Sequence, residues 1–149
     1  MASLVYVLNG PNLNLLGSRE TAVYGDKTLA DIEKITTAAA GKHGLAVDFR
    51  QTNQEGTLID WLHEAKAKAA GVVINPGGFT HTSVAIHDAV KAIGLPVIEL
   101  HLSNIFAREE FRRHSYVSPV ARGVICGFGA DGYRLAIDAL AGVLQVGKK

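Results

Sequence analysis

Short apolar runs alternate along the chain with longer segments in which apolar residues recur at helical spacing. The runs cover residues 4–8, 71–75, 96–100 and 123–127, and a fifth segment, 45–52, alternates apolar and polar residues. Short runs rich in Val, Ile and Leu are typical of strands buried on both faces of a sheet. The pattern therefore predicts five strands joined by helices, a doubly wound parallel α/β sheet.

The segments between the runs carry recognisable helix starts. Thr28 and Asp31 have the spacing of a capping box, and Leu29, Ile32 and Ile35 form an apolar stripe after it. The other expected starts are Thr57, Thr82 or Ser83, and a position near Asp131, with a further short helix over 107–113. Helices therefore separate all successive strands, and a long loop precedes the first of these helices.

At 149 residues the chain fits one catalytic domain, 1–149, and we expect the flavodoxin-like strand order 2-1-3-4-5 with helices on both faces. In such a sheet, ligands bind outside the carboxyl ends of the strands. Polar segments follow three of these ends, at 9–24, 75–83 and 99–104. We expect them to converge on one pocket for a small molecule.

The bulk properties narrow the class of protein. The net charge of +1 gives no general attraction to nucleic acid or to an anionic membrane. No apolar run approaches the roughly 18 residues typical of a membrane span, and the first residues do not resemble a signal peptide. We therefore expect a cytoplasmic protein that binds neither nucleic acid nor membrane.

Two common kinds of site are disfavoured. The segment 127–132 matches a dinucleotide-binding fingerprint, but no strand follows its helix and Asp131 places a negative charge where a pyrophosphate is wanted. The six histidines show no recognised metal-ligand spacing, so no metal is expected. None of the lysines lies in the three polar segments, which leaves no evident candidate for a Schiff base.

The first polar segment pairs a phenol with a guanidinium. Arg19 and Tyr24 lie between Gly17 and Gly25, and the segment of about 11–25 has the form of a hinged lid. A phenol is a poor base at neutral pH, with an ordinary pKa near 10, but an adjacent guanidinium favours the phenolate. Tyr24 is thus a candidate base; the alternative is that Tyr24 only packs and Arg19 is solvated.

The fourth strand pairs a carboxylate with an imidazole. Glu99 and His101 are two residues apart, so they point to the same face of the strand. A carboxylate in this position can orient the imidazole and hold its proton, which makes His101 a candidate general acid. The alternative is a core histidine satisfied by an acidic neighbour.

The remaining polar residues suit an anionic, oxygenated ligand. Asn12 can stabilise a developing oxyanion, and Asn75 with Gly77 and Gly78 brings backbone close to a ligand. Arg108 and Arg112 can bind a carboxylate, or else form a solvated face paired with Glu109 and Glu110. A base, an acid, an oxyanion donor and a carboxylate clamp together indicate proton abstraction beside a carbonyl, followed by loss of a β-hydroxyl as water.

The chain closely resembles the type II 3-dehydroquinate dehydratases over essentially its whole length. The matching positions include Asn9–Gly17, Arg19, Tyr24–Gly25, Gln54–Gly56, Ile59–Asp60, Asn75–Gly77, Thr80–Ser83, Asp88–Ala89, Glu99, His101, Ser103–Asn104, Arg108–Glu109, Phe111–Arg112, Gly127–Gly129 and Gly132–Tyr133. The resemblance implies a flavodoxin-like fold, no cofactor, and trimers that assemble into a homo-dodecamer. The substrate it implies is 3-dehydroquinate.

The resemblance also implies a role for each site residue. Tyr24 is the base, assisted by Arg19; Asn12 acts through a water on the enolate; His101 is the acid, oriented by Glu99. The implied substrate-binding residues are Asn75, Gly77, Gly78, His81, Leu102, Ser103, Arg108 and Arg112, with Asp88 reaching the site of a neighbouring subunit.

Two positions depart from the family pattern. Thr21 stands where the family usually has proline, which would leave the lid less restricted, and Phe106 replaces a frequent histidine. The alternatives that stay open are a flavin-binding electron carrier of the same fold, a receiver-type binding module, and a catalytically impaired relic.

Overall fold

The computed structural model describes residues 2–18 and 20–146, with the side chain of Val146 left undescribed. Its centre is one parallel sheet in the order β2-β1-β3-β4-β5, which confirms the predicted flavodoxin-like topology. The strands are β1 (Ser3–Asn9), β2 (Leu45–Gln51), β3 (Gly71–Asn75), β4 (Val97–His101) and β5 (Gly123–Cys126).

Within residues 2–18 and 20–146, five α-helices and four short 3₁₀ turns accompany the strands. The helices are α1 (Thr21–Tyr24), α2 (Leu29–Gly41), α3 (Glu55–Lys68), α4 (Val84–Ile93) and α5 (Asp131–Val146). The 3₁₀ turns are Leu13–Leu15, Gly77–His81, Ile105–Ala107 and Glu110–Arg113.

Three of the predicted helix starts are confirmed and one is wrong. The start expected near Asp131 is that of α5. Thr28 and Asp31 form the capping box of α2, and the Ser83 hydroxyl accepts from the Ile86 amide to cap α4. Thr57 does not cap α3, because this helix begins two residues earlier at Glu55. The Thr57 hydroxyl instead donates to Gln54 Oε1 across the first turn, at 3.1 Å.

The predicted helix over 107–113 is also wrong. Two 3₁₀ turns flank Arg108, whose backbone is extended (φ −104°, ψ −157°). The Arg108 guanidinium donates to Ser103 Oγ at 3.2 Å, which holds the residue against the segment that follows β4. This hydrogen bond favours an extended backbone at Arg108, in place of the continuous helix predicted from the sequence.

The core lies in two layers, one on each face of the sheet. Val5 and Val7 of β1 face the layer that contains α2 and α5, whereas Tyr6 and Leu8 face the layer that contains α3 and α4. All four side chains are buried. Burial on both faces explains why β1 is apolar at consecutive positions.

The first and third strands end close together, and this positions the site. The Gly10 amide donates to the Asn75 carbonyl at 2.8 Å. A Cβ atom on Gly10 would lie 2.6 Å from the Pro76 carbonyl oxygen, closer than real contacts allow. Glycine is therefore required for the loops after β1 and β3 to approach one another.

None of the helices within residues 2–18 and 20–146 is long and apolar enough to cross a membrane.

Candidate active site

A cavity of about 170 Å³ lies at the carboxyl ends of β1, β3 and β4. The three polar segments contribute most of its lining, and the turns after β4 complete it. The lining residues are Pro11, Asn12, Leu13, Tyr24, Asn75, Gly77, Gly78, His81, His101, Leu102, Ser103, Ile105, Arg108 and Arg112.

 Of the 14 site residues named from the sequence, 11 line this cavity; Glu99 and Asp88 do not, and Arg19 lies outside the described residues.

A buried pair, Glu99 and His101, lies on one side of the cavity at the end of β4; we name this the acid side because His101 is the candidate acid. His101 Nε2 donates to Glu99 Oε2 at 2.6 Å, and both side chains are buried. Burial on its own raises the pKa of Glu99, but the hydrogen bond and charge of His101, with the hydroxyls of Ser118 and Thr80, hold this pKa below its ordinary value. Glu99 is therefore a carboxylate at neutral pH, and it leaves Nδ1 as the nitrogen of His101 that is available to a ligand.

A second imidazole lies beside the first. The rings of His81 and His101 are stacked, with centroids 6.4 Å apart. Because a carbonyl only accepts, the His81 Nδ1 that lies 2.8 Å from the His114 oxygen carries a proton. Burial lowers the pKa of His81 and outweighs this hydrogen bond, so the ring is neutral near pH 7. Its Nε2 is then an acceptor for a ligand hydroxyl.

A buried hydrogen-bond chain orients Asn75. Its Nδ2 donates to the Tyr133 hydroxyl at 3.0 Å, and its Oδ1 accepts from the Gly77 amide at 3.2 Å. Tyr133 donates in turn to Asn9 Oδ1 at 2.6 Å. These bonds fix the amide of Asn75 and leave its second N–H for a ligand in the cavity.

The cavity wall carries positive charge. Arg108 and Arg112 both line it, and no Asp or Glu does so within the described part of the chain. Arg112 Nε also donates to Glu109 Oε2 at 2.6 Å, whereas Arg108 donates to the buried Ser103. Arg112 thus fits both interpretations from the sequence, because it pairs with Glu109 and also lines the cavity where it can bind a carboxylate. This wall suits an anionic ligand.

The lid side of the cavity, residues 11–25, contributes a phenol and an amide. Tyr24 ends α1, lines the cavity and also packs against the core, and the Arg108 guanidinium carbon lies 5.3 Å from the centre of its ring. Asn12 has a left-handed backbone (φ 70°), and its amide donates to Asn53 Oδ1 at 3.0 Å. The predicted pairing of Arg19 with Tyr24 falls outside the described residues, so it stays a prediction.

Asp88 lies apart from this cavity. It is on α4, its side chain is 71% exposed, and its carboxylate contacts His87 Nδ1 at 3.0 Å. Among the described residues it does not belong to the cavity lining of its own chain. This placement leaves Asp88 available to a neighbouring molecule.

Sequence reasoning did not assign a role to several residues that support the site. Thr80, Ser115 and Ser118 all donate to Glu99, and Tyr133 orients Asn75. Ser115 and Ser118 lie in a segment without helical or strand periodicity, so no local pattern marked them. The only signal at Thr80 and Tyr133 was their presence among the positions that match the family.

The described part of the chain offers no cluster of ligands for a metal ion. No group of three or more His, Cys, Asp or Glu side chains with suitable placement occurs within residues 2–18 and 20–146.

Comparison with known proteins places this site in a family. A family model described as dehydroquinase class II matches residues 3–141. The chain is 61% identical to a 3-dehydroquinate dehydratase of Acidovorax ebreus, over 95% of this chain and 99% of the relative. It also matches the crystal structure of a type II dehydroquinase from Propionibacterium acnes with a TM-score of 0.91 and 44% identity, over 95% and 98% of the two chains. The chain therefore belongs to the class II dehydroquinase family of hydro-lyases.

Proposed function

We propose that the protein converts 3-dehydroquinate to 3-dehydroshikimate and water, a step of the shikimate pathway. The reaction is an anti elimination through an enolate, with Tyr24 as the base and His101 as the acid. The observation that carries the proposal is the buried Glu99–His101 pair, which faces a cavity lined by two arginines and a phenol. The relatives that share the family are named for the same reaction.

In the first step, the Tyr24 phenolate removes a proton from the carbon between the ketone and the carbon that bears the hydroxyl. The C–H electron pair moves towards the ketone and forms an enolate. Arg19 favours the phenolate by its charge, and Asn12 stabilises the enolate oxygen through a water molecule. The position of Tyr24 and Asn12 in the same cavity lining supports this step.

In the second step, the enolate collapses and the β-hydroxyl leaves. His101 enters as an imidazolium and gives its Nδ1 proton to the departing oxygen, which becomes water. The carboxylate of Glu99 stabilises the imidazolium and holds its orientation through Nε2. A new C=C bond forms in conjugation with the ketone.

The rest of the lining binds the substrate. Asn75, His81 and Arg112 contact its hydroxyls, and the backbone at Leu102 and Ser103 holds its carboxylate, with Gly77 and Gly78 allowing a close approach. Arg108 adds positive charge and holds Ser103 in place through the bond of 3.2 Å. The fixed amide of Asn75 and the neutral ring of His81 support these assignments.

The elimination transfers no electrons to an outside acceptor, so we propose that it needs no cofactor. We also propose a homo-dodecamer in the cytoplasm, in which Asp88 completes the site of a neighbouring subunit. The exposure of Asp88 supports this, as do the large apolar side chains on the surface of the isolated chain. These are Leu15, Val23, Val84, Phe106, Phe111, Val124 and Phe128.

The proposal is tested by adding the purified protein to 3-dehydroquinate and following ultraviolet absorbance, because the product is a conjugated enone. The protein is also treated with borohydride in the presence of substrate, which would trap a lysine imine. We expect absorbance to rise at the same rate before and after this treatment. A folded protein that produces no enone would overturn the proposed activity, and inactivation by borohydride would overturn the cofactor-free enolate route.

A further inference from the structure

The segment 114–118 contacts His81 directly and reaches His101 through Glu99. The His114 carbonyl accepts from His81 Nδ1 at 2.8 Å, and the Tyr116 amide donates to the Thr80 carbonyl at 2.8 Å. Val117 is fully buried and anchors the segment in the core. The segment 114–118 does not line the cavity, but these contacts fix it directly behind Glu99 and His101.

Two serines of this segment direct their hydroxyl protons at Glu99. Ser115 Oγ accepts from the amides of Val117 and Ser118, at 3.1 and 3.0 Å. Its one proton is thus left for Glu99, whose oxygens lie 3.0 and 3.2 Å away. Ser118 Oγ donates to Glu99 Oε1 at 2.5 Å.

Thr80 completes a set of four donors around Glu99. Its hydroxyl donates to Glu99 Oε2 at 2.8 Å, and His101 Nε2 donates to the same oxygen. A carboxylate has about four lone-pair sites, so the four donors occupy the acceptor capacity of an ionised Glu99. A protonated Glu99 would need an acceptor for its own proton, and Ser115 has no lone pair left to provide one.

We propose that Thr80, Ser115 and Ser118, the hydroxyl network, are positioning residues that keep Glu99 ionised, so that both protons of the imidazolium stay on His101. Without this network, Glu99 takes the Nε2 proton and leaves a neutral imidazole, which is a poor acid for a hydroxyl. The inference rests on the proposed elimination, because it concerns the group that protonates the leaving hydroxyl.

The electrostatic surroundings agree with this role. The hydroxyls of Ser118 and Thr80 are among the causes that hold the pKa of Glu99 below its ordinary value, against the effect of burial. Two titratable or charged groups of the described residues lie nearby: His81, stacked on His101, and Arg112, whose charge acts on His81. The segment 114–118 presents only hydroxyls to Glu99. Removing a donor therefore raises the pKa of Glu99. When the solution is acidified, such a variant should lose activity at a higher pH than the wild type.

Kinetics of Thr80→Val and Ser118→Ala test the proposal. We expect kcat to fall about tenfold in each, the size expected for one hydrogen bond to a charged group, while KM stays within about twofold. Ser118→Thr keeps the hydroxyl and should recover most of the loss. Thr36→Val is the matched control, because Thr36 is also fully buried but donates to the Ile32 carbonyl in α2.

Three outcomes would overturn the proposal. They are a kcat within about twofold of the wild type in both variants, a Ser118→Thr variant as slow as Ser118→Ala, and a Thr36→Val control that loses as much kcat as Thr80→Val. A wild-type protein with no activity on 3-dehydroquinate would instead defeat the proposed function.

A measurement of stability makes the two failures distinguishable, because it needs no substrate. The hydroxyl of Thr80 stabilises the charged form of Glu99, so its loss should cost more unfolding free energy at pH ~7 than at a pH well below the ordinary glutamate pKa of about 4.3, where Glu99 is protonated in the folded protein as well. The cost of Thr36→Val should be the same at both values. An equal cost for Thr80→Val at both pH values would contradict the action of the network on Glu99.

Discussion

On the acid side of the cavity, Glu99 and His101 are buried at the end of a central strand and are held by hydroxyls from two other segments. On the lid side, Tyr24 lies on a four-residue helix, and the backbone on either side of it is left-handed at Glu20 (φ 36°) and Gly25 (φ 83°). Only Leu13 and Leu16 of the described lid residues are buried. The proposed acid is thus fixed by the fold itself, whereas the proposed base lies on a surface segment with an unusual backbone.

This difference suggests how the two halves of the reaction are separated. A buried carboxylate with four donors costs little reorganisation when charge develops on the imidazole. A base on a lid can exclude water after the substrate has entered. Changes on the acid side should therefore alter both stability and kcat, while changes on the lid should alter turnover with less effect on stability.

The largest effect should come from Tyr24→Phe. It removes the base without removing the ring that packs against the core, so we expect kcat to fall by about 10³-fold or more with folding and product binding retained. Steady-state kinetics and product titration measure both. Near-normal turnover would show that another group removes the proton.

For Glu99→Gln we expect a smaller loss of kcat, accompanied by a loss of stability. An amide at this position directs an N–H at one of the four donors, which leaves a buried clash between donors. We expect kcat to fall about 100-fold and the unfolding free energy to fall by about 1–3 kcal/mol. Glu33→Gln, on the exposed face of α2, is the control for the same chemical change. A stable Glu99→Gln protein with full activity would contradict a fixed acid side.

Tyr133→Phe should have an intermediate effect on binding. It removes the acceptor of Asn75 and the donor to Asn9, so the Asn75 amide is free to turn. We expect kcat/KM to fall about tenfold, mainly through KM, because neither Tyr24 nor His101 is touched. A fall confined to kcat would show that Tyr133 acts on the acid or the base instead.

The smallest effect is expected from a change to the backbone of the lid at Gly25. Gly25 and Gly44 both have positive φ, 83° and 69°, and an added Cβ would meet no atom within 4 Å at either position. Alanine at each should therefore cost about 1–2 kcal/mol of stability from the backbone alone. Only Gly25→Ala should also lower kcat/KM, by a few fold, because Gly25 follows Tyr24 directly. Equal values of kcat/KM for the two variants would show that the backbone of the lid does not influence turnover.

The sequence predicted those parts of the molecule that follow from local periodicity. Strand alternation placed Glu99 and His101 on one face, and the capping pattern located the start of α2. Thr57 was wrong as a cap because a polar residue in the first turn looks the same from the sequence as one before it. The helix over 107–113 failed because the hydrogen bond of Arg108 to Ser103 overrides local preference.

The support of the site left no such local signal. Ser115 and Ser118 lie 16 and 19 residues from Glu99 along the chain, and Tyr133 lies 58 residues from Asn75. Contacts of this range depend on how the helices and loops pack on the sheet, which periodicity does not specify. Most of the residues that line the cavity were therefore named from the sequence, whereas most of the residues that hold them in place became visible only in the fold.

The proposed assignment of the base to the lid and of the acid to the buried pair is tested most directly by proton exchange in D₂O. His101→Ala and Tyr24→Phe are each incubated with 3-dehydroquinate, and the recovered substrate is examined by NMR, with a sample lacking enzyme as the background. We expect His101→Ala to introduce deuterium beside the ketone without forming product, because the base is intact and the acid is missing. Tyr24→Phe should introduce none above background. Exchange in Tyr24→Phe at the rate of His101→Ala would contradict the assignment of Tyr24 as the base.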